Sequence, residues 1–339
     1  MTPLLVLPGS CHPQPEELFS SWLTRLAANH HMSAKSFLVS LVDPATKPIL
    51  QRKFYDMDRN PLSLVLDALA TRTLTSRVRI EQTTLVQYER FIIPVKQTGP
   101  YHNPYKSRFT WLLPFGHAQQ YACRASFCPS CLAKDGVRPY YRIPWRMSFS
   151  VACLACQVVL ADQCPNCSFP INYYQFGIAV NPPVKAAPSN PSIATCHHCG
   201  HNLAQTPTQV ASALVLEGQR TLQRLSQGVG PEADSVACHY FAHLRQVLGG
   251  LISFHRGRRR QPVPKSLLMG TDGIIDQRKP FEAFSVVVRT RLLQQAMALL
   301  EAGFQTRLCL WKRDGDRNAH TRSAIRKLLK SRCMEGVDR

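Results

Sequence analysis

No stretch of this 339-residue chain stays apolar for the ~18 residues a membrane-spanning helix needs, although hydrophobic residues make up 45% of it. The opening MTPLLVLPGS has no basic segment and no cleavage-like site, so it does not read as a secretory leader. Acids are scarce: 21 Asp and Glu face 41 Lys and Arg, for a formal charge of +20. With so few carboxylates, nothing marks the cluster that a two-metal nuclease or transposase requires. No G-x-x-x-x-G-K-[ST] phosphate loop and no H-E-x-x-H helix occurs either. These absences point away from an enzyme. A balance this basic calls for a polyanionic partner, with nucleic acid first, and an RNA-bound or ribosome-associated protein fits the charge equally.

Cysteine, by contrast, is abundant. Eight of the 13 cysteines form four C-x-x-C pairs: Cys128/Cys131, Cys153/Cys156, Cys164/Cys167 and Cys196/Cys199. Two sulfurs at that spacing reach one tetrahedral Zn²⁺ from a tight turn, so eight thiolates make two closed sites and two Zn²⁺ per chain. The pairs combine sequentially or in a cross-braced order, and spacing does not choose between them. A disulfide framework suits an oxidising compartment, which the lack of a leader argues against. Thioredoxin-like redox motifs need a C-x-x-C that opens a helix after a strand, whereas Pro129, Pro165 and Gly200 give three of these pairs turn-like surroundings. Such sites replace a core that a short loop-rich segment cannot build, so they do not by themselves give a function.

Around them the chain reads as helical. The predicted fold is mainly α with small zinc-binding β/loop modules, in three parts. Residues 1–100 form a helical, helix-turn-helix-like domain, 101–205 tandem zinc fingers, and 206–339 a basic helical domain. Pro15-Glu16-Glu17 predicts a helix start, with Leu18, Trp22 and Leu26 on a buried face and Ser21 and Arg25 on the opposite one. Ser33 predicts the cap of a second helix carrying Phe37, Leu38 and Leu41. Asn60-Pro61 opens a third helix and Ser76 caps a fourth. Residues 94–117 read as a linker. Between the first two cysteine pairs, Arg138, Arg142 and Arg146 recur every four residues among Tyr140, Tyr141 and Trp145. That pattern suits phosphate contact with base stacking, or an aromatic cover for the knuckle with solvated arginines. Beyond residue 207, one helical segment takes Val210, Leu214, Leu222 and Leu225. A second takes Val236 to Leu248 and ends at Gly249-Gly250, with His239 and His243 one turn apart. Basic candidates for nucleic acid follow at Arg256, Arg258, Arg259 and Arg260. After an apolar helix near 284–300 come Arg322, Arg326, Lys327 and Lys330, on a terminal helix capped by Asn318.

The order of these motifs resembles the TniQ/TnsD family of transposon target-selection proteins. Pro15 to Ala27 (PEELFSSWLTRLA) is similar to that family's opening signature. Phe127-Cys128-Pro129-Ser130-Cys131-Leu132, Tyr141-Arg142, Trp145-Arg146, Cys153 and Cys164-Pro165-Asn166-Cys167 are similar to its zinc region, so the resemblance covers roughly residues 10–200. Two positions depart from it: Cys156 stands where the family more often has His, and Ser168 where it usually has Gly. The resemblance implies a helix-turn-helix region and a non-catalytic adaptor in DNA transposition. Such an adaptor joins a target-recognition element to an AAA+ regulator ATPase. The element is a CRISPR Cascade complex with guide RNA, or a DNA attachment site. It also implies a homodimer in the Cascade-bound kind and a bacterial cytoplasmic setting, nucleoid-associated when DNA-bound. The alternative is a zinc-containing, sequence-specific DNA-binding transcription regulator.

Overall fold

The computed structural model describes residues 6–43, 47, 56–89, 111–114, 125–171, 192–228, 231–255 and 279–301. Eight α-helices and one two-stranded antiparallel ribbon occur among them. The described residues divide into two compact units. The first takes those up to Glu89, Trp111–Ala211 and Glu282–Val286, and the second takes those of Ser212–Phe281 and from Val287 onward.

In the first unit, α1 (Phe19–Asn29) packs on α2 (Ala34–Leu41), α2 on α3 (Ser63–Thr73), and α3 on α4 (Arg77–Glu81). Leu18, Phe19, Trp22, Leu23, Leu26, Phe37, Leu38, Val65, Leu69 and Ile80 are buried at its centre. The caps on α2 and α4 are those the sequence predicts: Ser33 accepts from the Ser36 N–H at 3.1 Å, and Ser76 from the Arg79 N–H at 3.3 Å. The α3 start is two residues later than Pro61, after an extended Leu62.

The start of α1 differs from expectation. Glu16 stands at φ +55°, and the helix opens at Phe19 without a side-chain cap from Leu18. Glu17 is buried and engaged elsewhere. Its Oε1 accepts from Ser21 Oγ and from Arg25 Nε, both at 2.8 Å, and its Oε2 accepts from Arg25 Nη2 at 2.6 Å. The first free N–H groups of α1, which a local cap would satisfy, find partners far away in sequence. Phe19 N–H donates to the Thr83 carbonyl at 2.8 Å, and Ser20 N–H to Asp58 Oδ1 at 2.8 Å. Ser21, expected on the outer face, is buried, and its Oγ accepts from the Tyr141 N–H at 2.9 Å.

Asp58 belongs to a buried ionic group. Its Oδ2 accepts from Ser20 Oγ at 2.8 Å and lies 3.6 Å from Arg146 Nε. Arg146, with no exposed side-chain surface, donates from Nη2 to both Asp56 carboxylate oxygens, at 3.1 and 3.0 Å, and its Nη1 donates to the Leu113 carbonyl at 2.9 Å. Burial pushes the Asp58 carboxyl up to about 6, against the pull of Arg146.

In the second unit, α6 (Ala213–Gln227) is capped by Ser212, whose Oγ accepts from the Val215 N–H at 3.4 Å. Val210, assigned by the sequence to this helix, precedes it and is exposed. α7 (Pro231–His255) runs straight through Gly249-Gly250. Val247, Leu248, Leu251 and Ile252 are buried on both sides of the pair, and that burial outweighs a helical-glycine cost of about 1 kcal/mol each. α8 (Val286–Glu301) approaches α6 closely, since a Cβ at Gly218 would fall on the Met297 side chain. The Asn318 cap, the terminal helix and most of the 94–117 linker lie outside the described residues.

Two outcomes test this packing. Trp22, fully buried, donates from Nε1 to the Cys11 carbonyl at 2.7 Å. Trp22→Ala is expected to cost roughly 3–5 kcal/mol in denaturant unfolding. For Asp58, the folded carboxyl titrates above its unfolded value of 3.8. Its contribution is therefore fully present below about pH 4 and is lost as pH rises through about 6. The stability advantage of wild type over Asp58→Asn is expected to shrink across that window, as read by denaturant midpoints at each pH.

Candidate metal centres

The first group of sulfurs is assembled by a helix and a hairpin. Phe127 pairs with Ala161 in an isolated antiparallel bridge, which brings Cys128 to the N-terminus of α5 (Pro129–Asp135). Pro129 suits the first helical turn, where its missing N–H costs nothing. Cys128 Sγ accepts from the Cys131 N–H at 3.4 Å. Opposite, β1 (Ala152–Cys153) pairs with β2 (Val158–Val159) in the register Ala152 to Val159 and Cys153 to Val158. The turn between them holds Cys156. Cys131 Sγ lies 3.5 Å from the Sγ atoms of both Cys153 and Cys156.

The second group comes from two turns without helices. Cys164 and Cys167 sit within a bridge from Gln163 to Pro170, and Cys196 and Cys199 within a bridge from Thr195 to Asn202. Cys164 Sγ lies 3.5 Å from Cys199 Sγ, and Cys167 Sγ 3.8 Å from Cys196 Sγ. Asn166 Nδ2 donates to Cys199 Sγ at 3.5 Å.

In each group the four sulfurs lie within 4.8 Å of one another, and every cysteine is a free thiol. A Zn–S bond near ~2.3 Å places tetrahedral sulfurs about 3.8 Å apart, which matches these separations. The grouping is sequential, first pair with second and third with fourth. Each set could hold one metal ion with all four positions filled by protein.

Backbone geometry explains the turns. In every pair the N–H four residues after the first cysteine donates to that cysteine's carbonyl: Leu132 to Cys128 (3.1 Å), Gln157 to Cys153 (2.8 Å), Ser168 to Cys164 (2.9 Å) and Gly200 to Cys196 (2.9 Å). Outside the helical first pair, the donor is left-handed, with φ +56° at Gln157, +56° at Ser168 and +76° at Gly200. Only Gly200 takes that conformation without steric cost. Ser168, the position where the resemblance leads one to expect Gly, keeps the same turn with a Cβ in place.

The sulfurs are also poised electrically. Contacts with the Cys128 and Cys153 sulfurs, then burial, push the Cys131 thiol far up, while the same kind of contact with Cys128 and Cys131 holds Cys153 down at about 2. At the second site burial pushes Cys196 up. Burial also raises Cys199, but the Asn166 amide and neighbouring donors outweigh it and leave that thiol at about 7. Four thiolates this close cannot ionise together without a cation among them. The donor set is all soft sulfur, which suits Zn²⁺.

The arginines singled out between the first two cysteine pairs divide three ways. Arg146 is walled off by Asp56, Asp58 and the Leu113 carbonyl, so a phosphate cannot reach it, and its expected nucleic-acid contact is corrected to a structural role. Arg142 is half-buried and bidentate on Asp135 at 3.1 and 2.8 Å, with its guanidinium 4.1 Å from the Tyr140 ring centroid and 4.9 Å from that of Trp145. Arg138 is exposed. Arg256, Arg258, Arg259, Arg260, Arg322, Arg326, Lys327 and Lys330 lie outside the described residues. His239 and His243 join no group of three metal-capable side chains among the described residues.

Residues 8–160 match the family model TniQ. The chain therefore carries a TniQ domain over somewhat under half of its length. The match spans α1 to the end of the first cysteine site and stops before Cys164, so the second site lies outside it. No protein with a curated description matches the chain. The TniQ domain carries a transposition-related role in target selection. Among the described residues no helix is long and apolar enough to cross a membrane.

Metal analysis is expected to return two ions per chain. Cys131→Ser should lose one and keep the other, Cys164→Ser likewise, and the double variant should hold neither. Loss of both ions from a single substitution would contradict independent sequential sites. Ser168→Gly relieves a left-handed side-chain residue and should raise the second site's resistance to unfolding by about 1 kcal/mol, measured as the denaturant midpoint at saturating zinc.

Proposed function

We propose that this chain, with its TniQ domain, is a non-catalytic adaptor in DNA transposition that holds two structural zinc ions. It links a target-recognition element, a Cascade complex with its guide RNA or a DNA attachment site, to an AAA+ transposition regulator. The observation that carries this reading is the TniQ domain built around a closed four-cysteine site, which leaves a metal no coordination position for substrate. Zinc there supplies folding free energy, and the surrounding helices supply contact surfaces. The pair α1 and α2, joined across His30–Ser33, is the candidate helix-turn-helix.

Charge is distributed unevenly along the sequence. Among the described residues 17 Lys and Arg stand against 15 Asp and Glu, so of the 41 basic and 21 acidic residues 24 basic and 6 acidic lie elsewhere. The polyanion contacts therefore belong mainly to segments such as Arg256–Arg260 and Arg322–Lys330, with Arg138 as the exposed candidate within the TniQ domain.

Co-expression with the transposition regulator and a tagged form of this chain tests the adaptor role: the ATPase should co-purify with the tag, and its absence would remove the proposal. For nucleic acid, binding should weaken steeply with salt. Changing Arg256, Arg258, Arg259 and Arg260 together to Gln should reduce the log–log salt slope on duplex DNA by up to about 4. Arg138→Gln should reduce it by no more than about 1.

A further inference from the structure

The second cysteine site presents a surface that its metal-binding role does not use. Phe169, two residues past Cys167, is 41% exposed. Its ring stacks on the His198 imidazole with centroids 4.3 Å apart and planes 4° from parallel, and it meets His197 edge-on at 5.5 Å. One ring thus comes from each knuckle. Phe169 is anchored by its carbonyl, which accepts from the Cys164 N–H at 3.0 Å, and the histidine turn is anchored by the His201 carbonyl, which accepts from the Cys196 N–H at 2.8 Å. Pro165, Asn166, Ser168 and His198 are exposed around the ring.

We infer that this Phe169–His198 face is a stacking platform for an unpaired nucleobase, in RNA or in single-stranded DNA. Three observations favour it. The stacked Phe169–His198 pair leaves aromatic surface exposed to solvent, a base laid on it would bury that surface together with its own π face, and such platforms accept any base. The two turns carry no Lys, Arg, Asp or Glu between Gln163 and Ile171 or between Ser192 and Gln205. Their polar groups are amides, hydroxyls and imidazoles, suited to base edges rather than to phosphate or to a charged peptide. The chain as a whole carries +20, so phosphates can be held elsewhere while this face takes the base. A tetrathiolate site holding a dication keeps net negative charge, which also turns the phosphate away from this face.

This inference rests on the nucleic-acid part of the proposed function, and the test separates the two. The full-length, zinc-loaded protein is titrated against fluorescent oligo(U), oligo(dT) and a duplex of equal length. Phe169→Ala is expected to weaken single-strand binding by roughly 5- to 150-fold, the range for one stacked base. Duplex affinity and the salt slope should stay unchanged, and Phe169→Tyr should bind within about twofold of wild type. The difference between the oligo(U) and oligo(dT) arms assigns RNA or DNA. If wild type binds none of the three, the nucleic-acid reading itself falls. If wild type binds and Phe169→Ala binds single strands equally well with two zinc ions retained, only the platform falls. Should Phe169→Ala lose its zinc, ultraviolet crosslinking of wild type to oligo(4-thio-U) decides: adducts on Phe169 or His198 support the platform, and adducts only elsewhere overturn it.

Discussion

A single buried arginine holds the TniQ domain together. Arg146 reaches the Asp56 carboxylate, the Asp58 carboxylate and the Leu113 carbonyl from a position with no exposure to solvent. Asp58 in turn takes the N–H and the hydroxyl of Ser20 at the head of α1. Four segments far apart in sequence are thereby tied at one point. Burying one guanidinium with two carboxylates is expensive, and it is tolerated only because nearly every lone pair and N–H there has a partner. The carboxylate at the α1 N-terminus adds a favourable term from the helix dipole. Burial, with a lesser push from the Asp56 carboxylate, is what drives Asp58 toward protonation against the pull of Arg146.

A parallel seam runs beside this group. Leu18 N–H donates to the Tyr141 carbonyl at 2.9 Å, Tyr141 N–H to Ser21 Oγ at 2.9 Å, and Ile143 N–H to the Glu16 carbonyl at 2.8 Å. The backbone that leads from the first cysteine pair to the second is thus laid along the start of α1. Order at the first cysteine site and the seating of the N-terminal helices are thereby physically coupled. The second site sits farther along the same compact unit, with neither helix nor ribbon of its own, so its turns depend more heavily on the metal. A left-handed serine is affordable there because four sulfurs converge on one point and leave the turn no other path.

The parts of the sequence that could be read correctly were those whose partners are near in the chain. The C-x-x-C pairs at Cys164 and Cys196 and the Ser33 and Ser76 caps are local devices, and each predicted its own neighbourhood, whereas Cys128/Cys131, expected in a turn, opens α5 because Pro129 suits a first helical turn. The α1 start could not be read that way, because Glu17 is claimed by Arg25 and the helix is capped by Asp58, some forty residues away. The alternation of Arg and aromatic residues from Arg138 to Arg146 resembles a nucleic-acid surface for a similar reason. What distinguishes Arg146 from Arg138 is a pair of aspartates some ninety residues upstream, invisible to any periodicity. Gly249-Gly250 misled in the other direction: burial of Val247, Leu248, Leu251 and Ile252 carries the helix across a pair that local propensity would make its end.

The exposed face of the second site shows how function can sit on such a scaffold without altering it. Phe169 contributes nothing to the sulfurs, yet the knuckle holds its ring parallel to His198 more firmly than a free loop would, because both backbones are pinned by bonds to cysteine N–H groups. Rigid presentation lowers the entropy lost when a base stacks, so even one contact on a nearly neutral unit becomes useful once other segments supply the phosphate attraction. An adaptor gains from this separation. In the proposed arrangement affinity would come from charge spread along the sequence, and the choice between paired and unpaired strands from a ring held by the two cysteine turns.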